Sequence, residues 1–166
     1  MGDHERYSIL LFAEADAVGE QDLVDFWVRE GAMAADAAHE RVPEVVFVAL
    51  DRQGGIAAVS SVFLRRAERL GMDLWHYRTF VGRDHRQSLL AQDLTIRTTD
   101  YLRDRYVSGA DTRAAGVFIE VENEILKTVK NEGVWPDTRF VFIGEDATRR
   151  HLRVHYFPGA LVPPPA

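Results

Sequence analysis

The sequence predicts an α/β (α+β) fold on three observations. Apolar or alternating runs of strand length recur along the whole chain, about seven of them. Helical patterns interrupt these runs after the first, the fourth and the fifth. One strand-like run, Met72 to Val81, passes through a polar turn straight into a long helical pattern from Leu89 to Tyr106.

In chain order, Ser8 to Ala13 reads as a short first strand. From Gln21 to Arg41 the spacing predicts one helix, with Leu23, Phe26, Trp27, Ala34 and Ala38 near one face and Pro43 closing it. Glu44 to Leu50 is a nearly continuous apolar strand. Asp51-Arg52-Gln53-Gly54-Gly55 is a hairpin turn, and Ile56 to Leu64 is the return strand. Arg65 to Gly71 reads as a charged connection to the Met72–Val81 strand. The long helix should bury Leu90, Leu94, Tyr101 and Leu102. Gly116 to Val121 is a further strand, Asn123 to Glu132 a shorter helix ending at Gly133, and Arg139 to Glu145 with His151 to Phe157 a final strand pair.

Composition narrows the classes of function. The chain has 166 residues, 46% of them hydrophobic and 28% charged, which suits one globular domain over residues 1–160 followed by a flexible Pro-rich tail, 161–166. A net charge of −6 with both signs interspersed argues against nucleic-acid and membrane partners. There are no cysteines, so disulfides, thiolate metal sites and cysteine nucleophiles are excluded. No group of histidines and carboxylates has metal-ligand spacing, and no metal is expected. The N-terminus, Met1-Gly2-Asp3-His4-Glu5-Arg6, is charged, and a cytoplasmic location is the simplest expectation.

The turn between the fourth strand and its helix draws the most interest. A helix leaves its first N–H groups without carbonyl partners at the positive end of its dipole, where anions bind. Arg83, His85 and Arg86 add positive charge to an otherwise acidic chain, and Ser88 can cap the helix or donate to a phosphate oxygen. Gly82, just past the strand, can take a backbone conformation closed to other residues, which would help form the bend. The alternative reading is a solvated turn with an ordinary Ser cap.

With its β–α–β–β–β–α–β–α–β–β order, and with Val81, Arg86, Leu89, Ala91 and Leu94 in the turn and helix, the chain resembles the GCN5-related N-acetyltransferase (GNAT) superfamily over nearly its whole length. The resemblance implies a mixed, mainly antiparallel central sheet of about seven strands flanked by helices. It implies that Phe80 and Val81 meet the pantetheine arm of acetyl-CoA or another acyl-CoA, and that Arg86, Gln87, Ser88, Leu89, Leu90 and Ala91 hold the pyrophosphate. Asn123 lies within one residue of a family asparagine at the next helix. Two positions depart from the pattern. Leu89 stands where the family has glycine, and Val129 where many members have the tyrosine that protonates the departing thiolate.

The family's chemistry is acyl transfer where the fourth and fifth strands separate. On the fifth strand Phe118, Glu120 and Glu122 share one face. Two carboxylates so close would raise the pKa of one, making Glu120 the first candidate base and Glu122 the second. The other reading pairs Glu120 with a nearby arginine. His76 on the fourth strand is a candidate proton shuttle or a hydrogen-bonded structural residue. Arg78 could hold an acidic group of the substrate or pair with Glu120. Ser60 and Ser61 could line the acceptor pocket or bond neighbouring backbone. His151, His155 and Tyr156 fall near the family's acceptor site, whereas Trp75 and Tyr77 read as core. The expected function is acetyl transfer to an amine of a small molecule or peptide. A catalytically inactive acyl-CoA sensor or protein-binding module is the alternative. A homodimer through the late strands, where Phe140-Val141-Phe142-Ile143 is apolar, is compatible with the fold.

Overall fold

The computed structural model describes residues 6–164. Seven strands, β1 (Ser8–Leu11), β2 (Val45–Leu50), β3 (Ile56–Ala67), β4 (Met72–Val81), β5 (Gly116–Val121), β6 (Val141–Glu145) and β7 (His151–Tyr156), form one sheet in the order β1-β2-β3-β4-β5-β7-β6. The β1–β2, β2–β3, β5–β7 and β6–β7 pairs are antiparallel, and β4–β5 is parallel. The helices are α1 (Glu20–Arg29), α2 (Ala35–Arg41), α3 (Leu90–Val107) and α4 (Glu124–Val129). This is the mixed, mainly antiparallel sheet expected from the sequence. Among the described residues no helix is long and apolar enough to cross a membrane. Residues 1–5 and 165–166, which include most of the charged N-terminus and the end of the Pro-rich tail, lie outside the described residues.

The chain falls into two compact units. The first runs through Val62 and includes Arg78–Thr98. Its core joins Leu23, Val24, Phe26 and Trp27 of α1 to Val48 and Leu50 of β2 and Val59 of β3, with Phe80 packed against it. Within it the single helix expected over Gln21–Arg41 is two helices. Gly31 takes a left-handed conformation (φ 69°), and the N–H groups of Gly31 and Ala32 return to the carbonyls of Val28 and Trp27. That arrangement satisfies terminal carbonyls and stops α1. Ala34 then becomes the exposed residue preceding α2 rather than a core residue.

The second unit comprises Phe63–Tyr77 and the chain from Thr99 onward. Ala67, Leu74, Phe118, Leu152 and Val154 form its buried cluster. Three expectations change here. The β3 strand continues to Ala67, into the segment read as a charged connection. The strand expected from Arg139 starts at Val141, because Arg139 has φ 64° and donates its N–H to the Trp135 carbonyl in a turn. Helix α4 ends at Val129 rather than running to Gly133. Lys130 leaves helical geometry, and its carbonyl accepts from the Trp135 indole at 2.8 Å.

Candidate functional site

The turn between β4 and α3 lies in the first unit. Strand β4 ends at Val81, and the Gly82 N–H donates to the Ala57 carbonyl of β3 at 2.8 Å, so the turn begins tied to the sheet. Gly82 has φ −57°, an ordinary value, which corrects the expectation of a special backbone conformation. The glycine is needed for space instead. A Cβ there would lie 3.1 Å from Glu30 Oε1, 3.2 Å from the Ala57 carbonyl oxygen and 3.4 Å from the Phe26 ring.

Beyond it, residues Arg83–His85 make one 3-10 turn, and the His85 carbonyl becomes a pivot. It accepts from the Ser88 N–H at 3.2 Å and the Ser88 hydroxyl at 2.6 Å, while Ser88 Oγ accepts from the Leu90 N–H at 3.3 Å. Ser88 therefore caps α3, as its type and place suggest. The first helical bond of α3 runs from the Asp93 N–H to the Leu89 carbonyl at 3.0 Å, which sets the positive end of the helix dipole at this turn. Arg86 is exposed. Its Nε donates to the Val81 carbonyl at 3.3 Å and its guanidinium lies 5.8 Å from the Phe80 ring, which keeps the cation beside the end of β4. Gln87 and Leu89 are exposed, Ala91 is exposed on the first turn, and Leu90 is buried beneath it.

Leu89 is 59% exposed and, among the described residues, is not one of those with positive φ. The turn therefore forms without the glycine and without strain at this position. An anion of pyrophosphate size would meet the exposed Arg86 guanidinium and the N-terminal end of α3 here, so the residues fit the cofactor that the resemblance implies. Beside the turn is a polar cleft of about 390 Å3 lined by Arg6, Tyr7, Asp51, Arg52, Gln53, Asp84 and His85. Tyr7 and His85 touch across it, Tyr7 Oη to His85 Nδ1 at 2.9 Å.

Arg78, toward the end of β4, pairs with Glu44 at 2.5 Å, a partner the sequence reading did not weigh. Ser61 is buried in β3 opposite Val45. Its neighbour Ser60 accepts from the Phe47 N–H and shares a 2.8 Å hydrogen bond with Thr98 of α3, which makes it a brace between strand and helix.

In the second unit, β4 and β5 pair at Trp75–Val117 and His76–Phe118. His76 is buried with its ring 5.2 Å from Phe63 and 4.8 Å from Phe118, an aromatic stack in the core. Trp75 and Tyr77 are buried, as read from the sequence.

Glu120 lies in β5, but the strand ends at Val121, so Glu122 is an exposed residue just beyond it rather than a residue of the strand, and the two carboxylates are not left to repel each other. Arg150, in the turn before β7, places Nη1 2.6 Å from Glu120 and 3.6 Å from Glu122, and its Nε 2.7 Å from Asp146. The sequence reading paired Glu120 with a nearby arginine and offered Arg78 for it; the arginine that the structure brings to Glu120 is Arg150, while Arg78 pairs with Glu44. Asp146 builds the β6–β7 turn around itself, accepting from the N–H groups of Thr148 and Arg150 and from the Thr148 hydroxyl. Burial works to raise its pKa, but these hydrogen bonds and that from Arg150 outweigh it and hold the carboxyl at about 2. The bond to Asp146, aided by the charges of Glu120 and Glu122, raises the pKa of Arg150 above its usual value.

Asn123 caps α4, its side-chain oxygen accepting from the Leu126 N–H at 3.0 Å, which accounts for an asparagine there without a ligand. Val129 is 70% exposed. His151 lies 3.4 Å from Glu145, and His155 is half-buried, with burial lowering its pKa while Nδ1 meets the Thr138 carbonyl. Arg150 and Tyr7 were missed at sequence level. The Asp146-Ala147-Thr148 turn carried a local signal for Arg150, since an aspartate there binds backbone and side chains shortly after it. Tyr7 has no local signal at all.

No family model and no curated protein sequence matches the chain. Solved structures do. A GNAT-family acetyltransferase from Streptococcus pneumoniae superposes over 92% of this chain and 99% of its own, with TM-score 0.62 and 12% identity. A ribosomal-protein-S5-alanine acetyltransferase from Vibrio fischeri covers 93% and 94%, with TM-score 0.61 and 14% identity. Arabidopsis thaliana NAA60 in complex with acetyl-CoA covers 92% and 99%, with TM-score 0.56 and 12% identity. The fold of this chain is that of the GNAT acetyltransferases.

Proposed function

We propose that this protein binds acetyl-CoA, or another acyl-CoA, and transfers the acyl group to an amine of a small molecule or peptide. The observation that carries this reading is the β4–α3 turn. On a fold shared with GNAT acetyltransferases, one of them solved with acetyl-CoA, it sets an N-terminal helix turn, the Ser88 cap and Arg86 around one spot.

Phe80 and Val81 lie at the end of β4, where their backbone can bond the pantetheine amides. Arg86 pairs with the pyrophosphate, and the segment Gln87–Ala91 brings it to the positive end of α3, the Ser88 and Leu90 N–H groups being spent on shaping the turn. The bound cosubstrate supplies an activated acyl thioester. In the transfer an amine loses its proton, its nitrogen bonds to the carbonyl carbon, and the C–S bond breaks to release a thiolate that takes up a proton. Glu120 is the proposed base, acting directly or through a water, and Glu122 is the second candidate. Arg150 holds the Glu120 carboxylate in place until the amine arrives. With Val129 at the usual acid's position, the thiolate leaves without a tyrosine; a thiol pKa of about 8.5 makes that departure feasible near neutral pH.

A second reading, an acyl-CoA sensor or protein-binding module without turnover, is favoured by two features. Glu120 is engaged by Arg150, and no tyrosine stands at position 129.

Calorimetric titration with acetyl-CoA and with CoA, followed by a thiol-release assay against a panel of amines, separates the two. Transfer predicts saturable micromolar binding, thiol release with some amine, and a Glu120→Gln variant that loses rate far more than CoA affinity. A sensor binds but releases no thiol above background. No binding by the native protein, restored in Leu89→Gly, would mark a closed cradle and contradict both.

A further inference from the structure

The tether between Tyr7 and His85 is unusual because it joins the start of the sheet to the turn across 78 residues of sequence. Tyr7 immediately precedes β1, and its neighbour Ser8 is paired with Leu50 of β2, so the phenol springs from backbone that the sheet fixes. Its hydroxyl lies 2.9 Å from His85 Nδ1, and the two rings meet edge to face with centroids 5.4 Å apart. His85 also carries the carbonyl that receives both the N–H and the hydroxyl of Ser88, and Ser88 in turn caps Leu90. A continuous chain of contacts therefore runs from the sheet through Tyr7, His85 and Ser88 to the first turn of α3.

We propose that Tyr7 is a positioning residue of the cofactor site, fixing through His85 and Ser88 the direction of the first turn of α3, toward whose positive end the pyrophosphate binds. This inference rests on the acyl-CoA reading above and assigns a role to a residue outside the turn. The turn needs such a restraint. Its Leu89 lacks the glycine that would let the backbone close on phosphate from many conformations, so the helix end must already be placed when the ligand arrives. The hydrogen bond also survives a change in the charge of His85. The Tyr7 hydroxyl donates to a neutral Nδ1, and its oxygen accepts from Nδ1–H when the imidazole is protonated.

The test is a double-mutant cycle read by calorimetric titration with CoA, using the native protein, Tyr7→Phe, His85→Phe and the double variant. Both changes keep a ring at each position and remove the hydrogen bond. Each single variant should weaken CoA binding about three- to tenfold, the effect of one hydrogen bond. The double variant should be no weaker than either single one. Without ligand, the amide NMR signals of Ser88 and Leu90 should move in Tyr7→Phe. Unchanged CoA affinity in Tyr7→Phe, even with a lowered unfolding midpoint, would overturn the role of Tyr7, as would fully additive losses. Failure of the native protein to bind CoA would remove the acyl-CoA reading itself and this inference with it.

Discussion

Arg150 stands 2.6 Å from Glu120 and 2.7 Å from Asp146, so the β6–β7 turn holds the carboxylate proposed as the base. The electrostatics of this arrangement can be measured without knowing the acceptor. The Asp146 carboxyl has its pKa lowered from 3.8 to about 2. A group depressed in the folded state adds stability that is present above its unfolded value and is lost as pH falls through the folded one. The contribution of Asp146 is therefore complete above about pH 4 and disappears toward pH 2. Carboxyl NMR titration should give an Asp146 midpoint near 2, and Arg150→Gln should move it upward. A midpoint near 4 in the native protein would contradict the arrangement.

Ser60 links β3 to α3 from a fully buried position. Ser60→Ala removes the partner of the Phe47 N–H and of the Thr98 hydroxyl together. The expected loss is about 1–3 kcal/mol of unfolding free energy, the cost of leaving buried polar groups unpaired. Urea unfolding measures it, and a change under 0.5 kcal/mol, roughly the level of an inert surface substitution, would exclude the brace.

What the sequence made legible follows the range of the interactions involved. Strands β4 and β5 were read with their full bounds, Met72–Val81 and Gly116–Val121, because aromatic and β-branched runs between turns are a local signal. The break between α1 and α2 was missed. Gly31 lies inside an otherwise helical pattern, and its left-handed geometry is decided by the bonds closing α1. The turn at 82–91 was found because strand, polar turn and helix are consecutive. Its anchors Tyr7, Glu30 and Ala57 are remote in sequence and left no trace there. The same holds for Arg78, whose partner Glu44 lies on the approach to β2.

Two glycines should separate by the hardness of what surrounds them. A Cβ at Gly116 would lie 2.5 Å from the His155 carbonyl oxygen of the paired strand, which cannot move without breaking the ladder. At Gly82 the nearest atoms are farther away, the end of the Glu30 side chain at 3.1 Å and the Ala57 carbonyl oxygen at 3.2 Å, so a shift of a few tenths of an ångström makes room. Gly116→Ala should cost about 3 kcal/mol and Gly82→Ala about 1 kcal/mol by overpacking. Thermal or urea unfolding checks the order, and equal costs would contradict it.

Arg153 is buried with its guanidinium 4.2 Å from the centre of the Trp135 ring, and among the described residues no carboxylate forms an ion pair with it. Burial lowers its pKa, and the charge of Glu132 opposes this without reversing it. Its bonds to the Phe140 and Lys130 carbonyls are long, 3.5 and 3.3 Å. Arg153→Met should therefore be within about 1 kcal/mol of native stability, whereas Arg153→Ala should lose about 3 kcal/mol through the cavity beside Trp135. Unfolding curves for the two variants decide this. A large loss in Arg153→Met would show that the charge itself is needed.

The central claim is that the β4–α3 turn receives an acyl-CoA. Amide chemical-shift mapping of the 15N-labelled protein during titration with acetyl-CoA tests it most directly. The account predicts saturable shifts at micromolar concentration, largest at Arg86, Gln87, Ser88, Leu89, Leu90 and Ala91. Those amides staying in place throughout the titration would contradict it.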